Sequence, residues 1–201
     1  MKGIKIQYNA PVVVTFAILC TAVYMINYIT GGDAMSRSGG LINNYFVLRG
    51  FDFANPVDYF RLFSYTIGHA NRGHLVGNMS IFLLIAPIME EKYGSRNILI
   101  MMLLTALITA IFQVLLIGGG LLGASGIVFM FIILVSFANT GGKGIPLTFV
   151  LVLIFFLGKE VLNSLDNNNI SEYAHIAGGL MGAFFGFNLS RKEAPSKELL
   201  P

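Results

Sequence analysis

Gly123-Ala124-Ser125-Gly126 leads into Ile127-Val128-Phe129-Met130-Phe131-Ile132-Ile133-Leu134-Val135, so a hydroxyl stands at the head of an apolar run with no charged side chain. The rest of the chain decides what solvent that run faces. The 201 residues are 55% hydrophobic and 11% charged, with mean hydropathy +0.74. A soluble domain carries roughly twice that share of charged residues. The chain therefore reads as a polytopic, all-α membrane protein, one domain over residues 1–201.

Working outward from Ser125, six stretches could span: 11–29, 74–89, 96–117, 125–139, 145–158 and 173–189. A crossing takes about 20 apolar residues, fewer where water enters from one side. The first and third are long enough alone. The others are short, and three of them carry polar residues. Short helices with polar tips fit a bundle around a water-filled cavity, since polar backbone at membrane depth must face protein or water. Lys2 and Lys5 precede the first run, but Thr30-Gly31-Gly32-Asp33 offers no convincing cleavage site, so a retained helix is expected.

The connection 30–73 is long and aromatic, with Tyr45, Phe46, Phe51, Phe53, Tyr59, Phe60, Phe63 and Tyr65. Disordered linkers lack such residues. A folded loop half sunk in the membrane interface is predicted. The polar connection Asp166-Asn167-Asn168-Asn169 reads as mobile. Gly178, Gly182 and Gly186 recur every four residues in the last span. Small residues let helix backbones approach in lipid, so this face should press on a neighbour, the fourth span being the natural one. The fifth span has no Gly or Ala between Pro146 and Leu157 and should pack loosely, as a movable wall beside a fixed site.

With six spans both termini share a side. That side receives Lys2, Lys5, Lys92, Arg96, Lys143, Arg191, Lys192 and Lys197, against Arg37, Arg49, Arg61, Arg72 and Lys159 on the other. The eight-to-five bias places both termini in the cytoplasm. A net charge of +3 with no basic patch argues against nucleic acid. The single cysteine, Cys20, allows no intramolecular disulfide and reads as packing.

All three histidines sit near apolar spans. A histidine inside a membrane is costly and is usually functional. Ser125 could act as nucleophile if a base takes its proton, and Gly123 and Gly126 clear space for a substrate carbonyl. The plainer reading is an N-cap serine with packing glycines. His175 is the candidate base, the plainer reading being a histidine bonded to a backbone carbonyl. No carboxylate lies within a span to orient it. Glu172 lies three residues earlier but belongs at the water boundary, so a Ser–His dyad is expected. His74 and Asn78 share one helix face and could stabilise an oxyanion. They could equally be interhelical polar glue. A zinc site from His69, His74 and His175 is the rival, with no acidic ligand within a span to support it.

Together these residues resemble the rhomboid family of intramembrane serine proteases. The matching features are Gly123-Ala124-Ser125-Gly126, then His69 and His74 with Asn78, and Ala174-His175-Ile176-Ala177-Gly178 with Gly182. Glu90 with Gly94-Ser95 and the loop stretch Asp58-Tyr59-Phe60-Arg61 also resemble the family pattern. The resemblance covers about 10–189. It implies a six-transmembrane-helix bundle with a large partly folded loop between the first two spans. It implies Ser125 as nucleophile and His175 as base, with an oxyanion site from His74, Asn78 and the Ser125 N–H. Arg61, His69, Phe129, Gly178 and Gly182 would support it. Substrates would be single-span membrane proteins entering laterally near the second and fifth spans, and no cofactor or metal is implied. The expected location is a prokaryotic inner membrane; the oligomeric state is open. Phe60 stands where the family usually has Trp, and Phe129 where it commonly has Tyr. Two alternatives come from other classes. One is a non-catalytic member of the fold that retains membrane clients, and such proteins usually lose the serine or histidine. The other is a small transporter, which predicts repeats and intramembrane carboxylates.

Overall fold

A computed structural model describes residues 8–32, 40–138, 144–164 and 172–193, with side chains through 155 in the third stretch and from 173 to 189 in the fourth. The connection 166–169 lies outside the described residues, as do Lys2, Lys5, Arg37, Lys143 and Lys197. The side chains of Phe156, Lys159, Glu172, Arg191 and Lys192 are also outside them. The described residues are helical, apart from one isolated β-bridge.

Helix α1 (Pro11–Ile29) opens on proline, whose missing N–H and fixed φ suit a first helical position. Its next two N–H groups find a distant partner. The Glu90 carboxylate accepts Val12 N at 3.0 Å and Val13 N at 2.9 Å. Val13, Ala17, Cys20 and Asn27 turn inward, while Ile18, Leu19, Met25 and Ile26 stay exposed, as they can in lipid.

The connection between α1 and the next long helix is folded. It holds α2 (Leu41–Tyr45) and the amphipathic α3 (Pro56–Ser64). Asn55 caps α3 by accepting Val57 N at 3.1 Å. Arg61 bonds Asp58 at 2.6 Å and also reaches the Asn44 carbonyl, while Ser64 Oγ donates to Tyr45 O at 2.6 Å. Burial acts to raise the Asp58 carboxyl, but hydrogen bonds from Arg61, Asp52 N and Asn55, with the Arg61 charge, outweigh it and hold it below its ordinary value. Tyr59, Phe60 and Phe63 remain exposed on α3, in keeping with an interfacial helix.

Helix α4 (Arg72–Tyr93) is longer at both ends than the hydrophobic stretch suggests. Asn71 caps it, accepting His74 N at 2.9 Å, so the helix starts two residues before His74. Gly94 turns the chain into α5 (Ser95–Phe112), which winds on through a π-helical turn at Gln113–Ile117. Then come α6 (Ser125–Val135), α7 (Leu147–Ser164) and α8 (Glu172–Glu193). By length and composition three helical stretches can cross a membrane: Pro11–Ile29, Arg72–Tyr93 and Ser95–Ile117.

Helix α6 is the centre of the core. Ile127, Val128, Met130, Phe131 and Leu134 are buried and packed on Phe82, Met89 and Met102 of α4 and α5, while buried Ile133 packs with Phe137 and Phe149. In lipid such contacts stabilise by close packing rather than by water exclusion. The tightest contact is between α6 and α8. A Cβ on Gly178 would collide with the Gly126 carbonyl, one on Gly182 would lie 2.5 Å from Met130 O, and one on Gly186 would strike the Phe137 ring. The glycine face thus meets the fourth predicted span. Helix α7 touches this pair mainly through Phe149, which packs on Phe137 at 4.9 Å and Phe187 at 5.8 Å between ring centroids. Leu147, Val150, Leu151, Ile154 and Phe155 face outward.

Candidate active site

Ser125 is the first residue of α6 and does not cap it; the cap position is Ala124, and no side-chain cap bond forms. The hydroxyl is therefore not spent on its own helix. The backbone leading into it is held by three hydrogen bonds. Leu48 and Leu121 exchange hydrogen bonds of 3.1 and 2.7 Å, and Gly123 N donates to Tyr65 O at 2.8 Å. Gly123 has φ +115°, which L side chains rarely adopt. A Cβ there would also lie 2.6 Å from His74 Nε2. Glycine at 123 thus permits both the turn and the close approach of an imidazole.

His175 sits in the first turn of α8, beside the start of α6. A Cβ on Gly126 would lie 3.1 Å from Ala174 O, so the residues adjoining Ser125 and His175 are in backbone contact. The His175 ring packs on Phe129, with centroids 4.6 Å apart and planes tilted by 39°. Phenylalanine one turn after the serine thus covers the ring without offering a hydroxyl. Ser125, Phe129 and His175 are all half-buried.

Asn78 lies one turn below His74 on α4. It is buried, and Nδ2 has no hydrogen-bond partner among the described residues. A buried donor without an acceptor is costly, so this amide is available to a bound oxygen. His69 stands edge-on to His74, 5.1 Å between centroids, and its Nδ1 lies 3.1 Å from Ile67 O. Among the described residues no group of three His, Cys, Asp or Glu is placed to hold a metal. Arg61 is engaged with Asp58 and Asn44 in the loop.

Burial drives the His69 imidazole down to about 4, with His74 nearby adding to the effect. The unfolded chain then takes up its proton first, near pH 6.5. Stability is full above that value and falls as pH drops from about 6.5 towards 4. Thermal unfolding in detergent should show this slope. His69→Gln should make it shallower by up to about 1.4 kcal/mol per pH unit; an unchanged slope would assign it to other groups.

Several residues near the site carry no motif. Tyr65 is buried and donates to Ala106 O at 3.0 Å. Thr105 and Thr109 turn hydroxyls into the bundle from α5, Thr109 against Gly126. The Leu48–Leu121 bridge is a long-range pairing that no local pattern announces. Asn71 did have a local signal, since asparagine just before an apolar helix is a cap signature.

A family model described as the rhomboid domain matches residues 56–192, the stretch that contains α3 to α8 and every residue of the site. The chain is 24% identical over 144 residues to the rhomboid protease GlpG of Haemophilus influenzae, covering 70% of this chain and 75% of that protein. With a match across most of its length, this chain belongs to the rhomboid family.

Proposed function

We propose that this protein is a serine endopeptidase working within the bilayer, cutting transmembrane segments of other membrane proteins. The observation that carries the reading is the shared head of α6 and α8. Backbone contact at Gly126 and Gly178 makes neighbours of the Ser125 and His175 positions, and Phe129 covers the imidazole. Likeness to a rhomboid protease supports it.

In this reading Ser125 Oγ attacks the scissile carbonyl carbon while His175 takes its proton. The carbonyl electrons move to oxygen. Asn78 Nδ2, His74 and the Ser125 N–H donate to that oxyanion, at a helix start where the dipole favours negative charge. Collapse breaks the C–N bond, and His175 returns the proton to the leaving amine. Water, deprotonated by His175, then cleaves the acyl ester and frees Ser125. No cofactor enters these steps. The single domain would cross the membrane six times, through α1, α4, α5, α6, α7 and α8, in a prokaryotic inner membrane with both termini cytoplasmic. Substrate would enter between α4 and α7, because Leu147, Val150, Leu151, Ile154 and Phe155 of α7 face away from the bundle.

The test is a fluorophosphonate probe on purified protein, wild type against Ser125→Ala. Labelling confined to the wild type is expected. A folded wild-type protein that takes no label while still holding membrane clients would instead be a non-catalytic binder.

A further inference from the structure

Lys92 lies at the far end of the helix that carries His74 and Asn78. Its ammonium donates to the carbonyl oxygen of Ala138, and it stands 5.2 Å from the centroid of the Tyr93 ring. Ala138 ends the tight turn that finishes α6, where the N–H groups of Ser136, Phe137 and Ala138 bond back to Ile133, Leu134 and Val135. Such a turn leaves the last carbonyls without backbone donors, and a cation is their favoured partner.

Helices α4 and α6 are thus tied at both ends. At one end the His74 ring lies against Gly123; at the other Lys92 holds Ala138. From tie to tie α4 advances 18 positions, about 27 Å at the α-helical rise, against 15 positions for the α6 segment, which is α-helical only over Ser125–Val135. A flexible four-carbon stem leaning back along α4 takes up the difference.

The second tie adds a directional hold at the far end of α6 to the hydrogen bonds at its start. Helix α6 has only 11 residues, too few to be fixed by both membrane surfaces. Its glycine contacts lock it to α8 and its start is held by the Leu48–Leu121 and Gly123–Tyr65 hydrogen bonds, whereas its far end meets α4 only through apolar side chains and Lys92. The α4–α6 contacts are apolar, each weak and without direction. We propose that Lys92 is a positioning residue: by holding Ala138 it sets the depth of Ser125 against Asn78 and His74. This rests on the protease reading above.

The test uses the full-length protein and a spanning substrate, with Lys92→Met, Lys92→Gln and Lys92→Arg made alone and in an Asn78→Ala background. Turnover, KM, fluorophosphonate labelling and Tm are read for each. Lys92→Met should lower kcat about a hundredfold, the scale of an ångström misplacement, with KM little changed. Lys92→Arg should restore most of the turnover. In the Asn78→Ala background Lys92→Met should cost less than in the wild type, because one of the two donors it aligns is already gone. Wild-type kcat in Lys92→Met, or the same fold-loss in both backgrounds, overturns the proposal. So does loss of fold in both Lys92→Met and Lys92→Gln, which would make the contact structural. Cleavage that survives Ser125→Ala would sink the protease reading itself and is seen separately.

Discussion

Ser125→Ala and His175→Ala should each reduce cleavage of a spanning substrate to background while leaving Tm near the wild-type value. Nucleophile and base act as one unit. Without the serine there is no acyl ester to form; without the imidazole the hydroxyl keeps its proton. In serine proteases the loss of either member costs about as much as losing the whole set, roughly a million-fold in turnover. The double variant should therefore be no worse than either single one. Neither side chain fills the close-packed core, since both are half-buried beside α6 and α8. The measurement is substrate cleavage in liposomes with Tm followed in parallel. A tenth of wild-type activity in either variant would remove that residue from the chemistry. Phe129→Ala should act more mildly, because the ring only covers the imidazole from one side.

Gly178→Ala should abolish activity on every substrate and lower Tm sharply. The added methyl would land on the Gly126 carbonyl. Both partners are helix backbone, so no flexible side chain can give way. Overpacking a well-filled core usually costs about 1–3 kcal/mol. Here the strain falls one residue from Ser125 and three from His175. Relief means moving α8 away from α6, which parts the two candidate catalytic groups. The control sits next door. A Cβ on Gly179 would meet only Ile133 Cγ1 at 3.8 Å, an ordinary contact, so Gly179→Ala should keep both fold and activity. Gly182→Val should resemble Gly178→Ala, since even its Cβ would lie 2.5 Å from Met130 O. Equal behaviour of Gly178→Ala and Gly179→Ala would show that the close approach of α6 and α8 is not what aligns the site.

Much of this arrangement was legible in the sequence, for identifiable reasons. Glycines every four residues specify a helix face, and the span headed by Gly123, Ala124, Ser125 and Gly126 is its natural partner. His74 and Asn78 share a face because their spacing is four. The aromatic loop reads as folded because disordered chains lack such residues; its described residues include α2 and α3. The boundaries of α4 and α7 were less legible. Hydropathy marks where a helix is apolar, whereas α4 is extended by the Asn71 cap at one end and by polar residues beyond Met89 at the other. Contacts that join residues far apart left no local trace. The Leu48–Leu121 bridge and the reach of Lys92 to Ala138 depend on how the helices assemble, which periodicity does not encode.

The Glu90 carboxylate that closes the start of α1 has a consequence for biogenesis. Val12 and Val13 receive their acceptor from a residue 78 and 77 positions later. A nascent chain emerges from its N-terminus, so α1 exists before the residue that completes it has been translated. Until α4 arrives, water or lipid headgroups must serve those two amides at the membrane surface. Arrival of Glu90 therefore marks the moment at which those two amides gain their carboxylate acceptor. A chain halted by truncation before residue 90 would lack that acceptor, whereas one halted after α4 would carry it.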